Sequence, residues 1–167
     1  MLILIAGLPG SGKTTLARAL AAQTNTLHLN SDLMRRALGL MGHYAPEDKA
    51  AVYAALLERA RASLSEGKDV VVDSTFYKES VRAPFRQLAS DCATALCWIE
   101  VRAQEAVIRE RLKTPRPDSE ADEAVYEKIR DEAEPLPEAH LVLWSDADPL
   151  EKMVAAAREY IEKRRPS

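Results

Sequence analysis

The stretch MLILIAGLPGSGKTT, Met1–Thr15, decides the fold. Leu2 to Ala6 is an unbroken apolar run with no alternating polar face, so it reads as a strand buried on both sides. It passes directly into a loop with Gly7, Gly10 and Gly12. Leu16, Ala19, Leu20 and Gln23 then follow at helical spacing. Strand, glycine loop and helix, in that order, form the context in which the GxxxxGK[ST] pattern cradles phosphate, here as Gly7, Gly12, Lys13 and Thr14. The glycines let the backbone turn its N–H groups inward, and the helix presents its positive N-terminal end at the same place.

The loop residues Gly7, Leu8, Pro9, Gly10, Ser11, Gly12, Lys13, Thr14 and Thr15 are therefore the candidate contacts to ATP. Lys13 is placed to reach the terminal phosphates, and the Thr14 hydroxyl to ligate Mg2+.

Working outward, short apolar runs alternate with helical stretches. DVVVD (Asp69–Asp73), ALCWIEV (Ala95–Val101) and HLVLW (His140–Trp144) read as strands, with TLHL (Thr26–Leu29) as a weaker one. Tyr53, Leu56, Leu57, Ala60 and Leu64 form an apolar helical stripe closed by Gly67, and Leu150, Met153, Val154, Ala157 and Ile161 form another behind Pro149. The stripe at Tyr53–Leu64 reads as core. Strands alternating with helices imply crossover connections and a mostly parallel five-stranded sheet between helices, a three-layer α/β fold of the P-loop NTPase class. Pro84 sits awkwardly in YKESVRAPFRQLA, because proline suits only the first helical turn. That helix is expected to begin late or to kink.

Composition narrows the function classes. The 167 residues are one domain's length, 47% hydrophobic and 29% charged, with formal net charge −3, so no global basic field marks a nucleic-acid binder. Cys92 and Cys97 lack metal-type spacing and read as free thiols of a reducing cytoplasm. MLILIA has no basic leader and is far too short to span a membrane, which points to a cytoplasmic protein with no membrane partner.

Two aspartates extend the phosphate loop. Asp32, in LNSDLMRRAL, follows the second strand at the ligand-binding edge of an open sheet. There it either accepts a proton from a hydroxyl as phosphate is transferred or caps the helix that carries Arg35 and Arg36. Asp73 ends a buried strand, where it would hold Mg2+ through water or orient Thr14. Ser74 and Thr75 beside it are candidate substrate contacts, and Arg82 on the next helix a candidate anion contact.

The ordered set GLPGSGKT, SDLMRR, YAALLERARASLSEGKDVVVDSTF and SEADEAVYEKI resembles the zeta-toxin and polynucleotide-kinase group of P-loop kinases, and more specifically the small AAA_33-type ATP-binding domains. The resemblance runs from Met1 to about Leu136. It implies a nucleoside-kinase-like fold, ATP and Mg2+, Asp32 as the catalytic carboxylate, and an arginine after it, Arg35 or Arg36, as a substrate contact. It also implies a small lid at about residues 113–122. In such kinases an arginine at the end of the preceding helix stacks on the base and a lid arginine stabilises the transferring charge. Arg111 and Arg116 take these positions, with Lys113 as runner-up for the second, and the loop SDADP (Ser145–Pro149) takes the place of the adenine contact.

The expectation is a single kinase domain over residues 1–167 that moves the γ-phosphoryl of ATP to a hydroxyl. The acceptor is a small molecule or a polynucleotide 5′-end, and no obligate protein partner is evident. The rival expectation is a nucleotide-dependent regulatory module with slow hydrolysis. A GTPase is disfavoured because no guanine-reading NKxD pattern is present.

Overall fold

The computed structural model describes residues 1–114 and 121–165. Its elements run β1 (Leu2–Ala6), α1 (Lys13–Thr24), β2 (Leu27–Asn30), α2 (Ser31–Ala37), α3 (Pro46–Ser65), β3 (Val70–Asp73), α4 (Glu79–Asp91), β4 (Leu96–Arg102), α5 (Glu105–Leu112), α6 (Glu123–Glu132), β5 (His140–Trp144) and α7 (Leu150–Glu162). The five strands lie in the order β2-β3-β1-β4-β5, and every pairing is parallel. The mostly parallel five-stranded sheet of the three-layer α/β P-loop fold is thus present, with no antiparallel strand among the described residues. Among the described residues no helix is long and apolar enough to cross a membrane.

The two sheet faces follow from strand alternation. Ile3, Ile5, Val71, Ile99 and Val101 pack on one side against Leu16 and Leu20 of α1 and Val154, Ala157 and Ile161 of α7. Leu2, Leu4, Val70, Val72 and Trp98 pack on the other against Leu56 and Ala60 of α3 and Phe85 and Leu88 of α4. Burial on both faces is why these strands read as continuous apolar runs rather than alternating ones. A smaller cluster, Ile108, Leu112 and Tyr126, ties α5 to α6 and carries Leu8 of the glycine loop against it.

Register places the polar residues that matter. Ile5, next to the end of β1, is aligned with Asp73, and Asp73 with Asn30, so the last residues of β3 and β2 meet the end of β1 at the C-terminal edge of the sheet.

The helix containing Pro84 corrects the expectation about it. The helix starts at Glu79, with Tyr77 and Lys78 outside it, yet Pro84 lies at its sixth residue rather than in its first turn. The start is secured from a distance, since the Glu79 N–H donates to the Glu134 carboxylate at 2.6 Å. Proline then removes only the bond to the Ser80 carbonyl, and both Pro84 and Ser80 are exposed, where that loss is cheapest. Pro149, behind which the sequence places the last helix, is the N-cap of α7.

Candidate active site

The first turn of α1 differs from that of every other described helix. Each of the other six has an acidic residue there, namely Asp32, Glu47 with Asp48, Glu79, Glu105, Glu123 and Glu151. The first turn of α1 has none, its N-cap is Gly12 with no capping side chain, and its first residue is Lys13. A cation at that position opposes the helix dipole, and the Gly12 N-cap offers no side chain to the first-turn N–H groups. Both features suit an anion drawn to the loop. The backbone that forms it is strict: a Cβ on Gly7 would lie 2.5 Å from the Val101 carbonyl oxygen and 2.5 Å from Ser11 Oγ.

Beneath the loop lies a buried polar knot. Asp73 is fully buried, and its Oδ1 accepts from Thr14 Oγ1 at 2.9 Å and from Asn30 Nδ2 at 2.8 Å. Its Oδ2 meets His28 Nε2 in a short contact. Asn30 also caps α2, its Oδ1 accepting from the Leu33 N–H at 2.8 Å. The knot therefore couples the Thr14 hydroxyl to the helix that carries Asp32. Among the described residues no group of three His, Cys, Asp or Glu side chains is arranged to hold a metal by itself. A cation with phosphate oxygens and water for its other ligands, held through Thr14 with Asp73 behind it, fits this donor set.

Two cavities flank the loop. The larger, about 780 Å³, is lined by Pro9, Lys13, Asp32, Arg35, Ser74 and Thr75, together with side chains of α3, α4 and α6. The smaller, about 480 Å³, is lined by Gly10, Gly12, Thr15, Arg111, Ser145 and Asp148, among others. Arg111 spans the smaller one. Its guanidinium donates to the Gly10 carbonyl at 3.1 Å and to Ser145 Oγ at 2.8 Å, and the Ser145 hydroxyl donates to the Ser11 carbonyl at 2.6 Å. The helix end and the loop Ser145–Pro149 are thereby fastened to the phosphate loop from two directions.

The larger cavity has a tyrosine the sequence reading left in the core. Tyr53 OH lies 2.8 Å from Ser74 Oγ, and burial raises its pKa against the opposing hydrogen bonds from Ser74 and Thr75. On the same cavity, burial first and the Lys128 ammonium second lower the pKa of Lys49, with Glu132 opposing them.

Lys13, Asp32, Arg35 and Thr75 are thus brought to one cavity, and Arg111 with Gly10 and Gly12 to the other. Arg35 is partly committed already, its Nη1 donating to the His43 carbonyl and its guanidinium lying 4.5 Å from the Tyr44 ring centre. Asp73 lines neither cavity. Its observed work is holding Thr14, while Ser74 and Thr75 just beyond it line the larger cavity.

Arg36 is exposed and lines neither cavity. Arg82 is neither a solvated cation nor a cavity residue. It is 2% exposed, with its guanidinium donating to the carbonyls of Phe76, Glu134 and Pro135. Arg116 lies outside the described residues, and Lys113 is exposed and paired with Glu110.

The sequence reading missed Asn30, His28, Tyr53, Lys49 and Lys128 as members of the site, whereas Ser145 belongs to the loop it places at the adenine contact. Asn30 had a signal, as a polar residue ending an apolar strand directly before SD. The lysines had none, because only the cavity that α3 and α6 both line brings them together.

Comparison with known proteins adds the following. A family model described as AAA domain, AAA_33, matches residues 2–136. An uncharacterized protein of Mycobacterium tuberculosis (strain H37Rv) is 32% identical over 123 residues, 66% of this chain, and one of Mycobacterium bovis matches equally. The chain spans 25% of the length of these curated relatives.

Among solved structures, Chaetomium thermophilum Kti12 in complex with ADP-AlF3 superimposes with TM-score 0.78 at 24% identity, covering 100% of both chains. A sugar kinase from Janibacter sp. HTCC2649 gives 0.77 at 18%, covering 99% of this chain and 98% of its own. The Mycobacterium tuberculosis APS kinase CysC in complex with AMPPNP and APS gives 0.74 at 17%, covering 96% of each. These likenesses establish a P-loop kinase fold.

Proposed function

The chain belongs to the AAA_33 family, and from that premise we propose that it is an ATP-dependent kinase that transfers the γ-phosphoryl of ATP to a hydroxyl of an acceptor molecule. The observation that carries this reading is that Lys13, at the uncapped start of α1, lines the same cavity as Asp32. A nucleotide binder that only senses ATP has no use for a carboxylate facing a second cavity beyond the phosphates. The names of two proteins sharing the fold, a sugar kinase and an APS kinase, agree with phosphoryl transfer.

In this reading the base of ATP occupies the smaller cavity beside Arg111, with the triphosphate along the N–H groups of the loop. Mg2+, when bound through the Thr14 hydroxyl, supplies positive charge to the phosphate oxygens. The acceptor hydroxyl lies against Asp32, which takes its proton as the acceptor oxygen bonds to the γ-phosphorus. The bond from that phosphorus to the bridging oxygen breaks, and ADP leaves with the electron pair. Lys13 donates to the γ-phosphoryl oxygens throughout, where charge is spread in the transition state. Thr75, Ser74 and Arg35 position the acceptor.

The test is transfer of labelled γ-phosphate across a panel of small alcohols and 5′-hydroxyl oligonucleotides, run with wild type and Asp32→Asn. A kinase labels an acceptor, and the variant keeps nucleotide affinity while losing about 100-fold or more of the transfer rate. Slow hydrolysis with every acceptor unlabelled would favour the regulatory-module reading instead.

A further inference from the structure

The larger cavity concentrates positive charge in a chain whose formal net charge is −3. Its charged lining residues are Lys13, Arg35, Lys49, Lys78 and Lys128 against Asp32 and Glu132. Lys13 is accounted for by the phosphates of ATP, and Arg35 is tied to the loop at His43 and Tyr44. Three lysines remain, from three separate elements: Lys49 on α3, Lys78 at the N-cap of α4 and Lys128 on α6.

They share one counterion. Glu132 pairs with Lys78 at 2.6 Å, whereas among the described residues neither Lys49 nor Lys128 has a carboxylate within 4.0 Å. The wall beside them is apolar, built from residues such as Leu57, Val81, Phe85 and Ile129.

Unbalanced like charges on one cavity wall cost free energy unless something compensates them. A solvated surface would let the lysines spread apart, but Lys49 is half-buried where α3 begins, and its neighbours bear on it. Burial lowers the Lys49 pKa and the Lys128 charge lowers it further, with Glu132 opposing them and Arg35 and Lys78 adding to the fall.

We propose that the phosphoryl acceptor is a small hydroxylated anion whose phosphate, sulfate or carboxylate group sits among Lys49, Lys78 and Lys128 while its hydroxyl faces Asp32. This rests on the kinase reading and deepens it by naming the substrate class. Size favours a small molecule over a polynucleotide. The cavity of about 780 Å³ lies in the ordinary range for small-ligand sites, roughly 300–1,000 Å³. The chain as a whole offers no positive field along which a polyanion would be drawn.

The experiment compares matched acceptors that differ in one anionic group: glycerol with glycerol 3-phosphate, ribose with ribose 5-phosphate, and glucitol with gluconate, beside a 5′-hydroxyl oligothymidylate. Wild type and the double variant Lys49→Gln, Lys128→Gln are assayed for kcat and KM with saturating MgATP. The anionic member of at least one pair is preferred by tenfold or more. In the double variant that preference falls at least tenfold, through KM rather than kcat. The preference is a ratio within one preparation, so an inactive fraction cancels.

Equal or better use of the neutral members, or of the oligonucleotide alone, overturns the proposal and leaves the kinase reading standing. If no acceptor is labelled, the kinase reading fails, and a second measurement decides the anion site. With AMPPNP and Mg2+ saturating the phosphate loop, sulfate should raise the melting temperature of wild type and not of the double variant. An equal rise in both proteins, or none in either, overturns the anion site.

Discussion

The Thr14 hydroxyl donates to Oδ1 of Asp73 at 2.9 Å, and the carboxylate that receives it is wholly buried. Asn30 donates to the same oxygen, and His28 faces the other one. A carboxylate so surrounded is poorly placed to leave its partners for a metal. It fixes one hydroxyl lone pair toward the phosphate loop instead, the orienting role that outer-shell groups play around a metal ligand.

Thr14→Val keeps the shape of the side chain and removes that hydroxyl. The expected result is a 10–100-fold loss, on the order seen when metal-orienting contacts are removed, in either turnover or Mg2+ affinity. Titrating Mg2+ at saturating ATP separates the two, and Thr14→Ser should recover most of the loss. A Thr14→Val protein with an unaltered Mg2+ profile would show that the hydroxyl serves only the knot beneath it.

Asn30 has two tasks. Its side-chain oxygen caps α2 and its amide nitrogen holds Asp73. Replacing it with alanine removes a cap worth about 1 kcal/mol. The change also deprives the buried Asp73 carboxylate of a donor, at about 1–3 kcal/mol. Asn30→Ala is therefore expected to destabilise the protein by more than an ordinary surface substitution, by about 2 kcal/mol or more in urea unfolding. A loss under about 0.5 kcal/mol, the range of an unremarkable surface change, would mean that the knot reorganises freely.

These two residues mark how far the sequence could be read. The phosphate loop and strand ends were legible because a buried parallel strand must be apolar along its whole length, so the polar residue after it stands out. Asp73 and Asp32 were found by that rule. Asp73's partners depend on register, and register between β2 and β3 is set by packing of both faces, which no local pattern records.

Tyr53 shows the opposite failure. Its spacing with Leu56 and Leu57 fits a core stripe, yet its hydroxyl meets Ser74 Oγ at 2.8 Å and both residues line the larger cavity. Arg82 was read from its chemistry, yet three backbone carbonyls from Phe76, Glu134 and Pro135 claim it. Two of those carbonyls lie more than 50 positions along the chain.

Arg111 ties the glycine loop to the segment after β5 through Gly10 and Ser145. In the proposed mode of ATP binding it lies beside the base, so Arg111→Ala should raise KM for ATP about tenfold, the cost of one charge-assisted contact. Lysine is a poor substitute because its single ammonium cannot serve both partners in a plane, and Arg111→Lys should recover little. A fall in melting temperature with KM for ATP unchanged would assign Arg111 to fastening the loop alone.

The two thiols should differ in reactivity. Cys97 is wholly buried on β4, and burial pushes its pKa from 9.0 up to about 11, with the Arg164 charge pulling weakly the other way. Reaction with iodoacetamide proceeds through the thiolate, so at pH 8 Cys97 is disfavoured twice, by access and by ionisation. Cys92 is half-buried at the end of α4. In the native protein iodoacetamide should label Cys92 and spare Cys97, with both labelled in denaturant, as read by mass spectrometry of peptides.

The sign of the pH effect on stability follows from the same shift. The folded state holds the Cys97 proton more tightly than the unfolded state. Its stabilising contribution is therefore complete below pH 9 and is lost as pH rises toward 11. Unfolding in urea at pH 7 and pH 10.5 should show that loss in wild type and a smaller one in Cys97→Ala. Equal losses in the two proteins, or labelling of native Cys97 as fast as a free thiol, would sink the assignment of Cys97 as a buried neutral thiol.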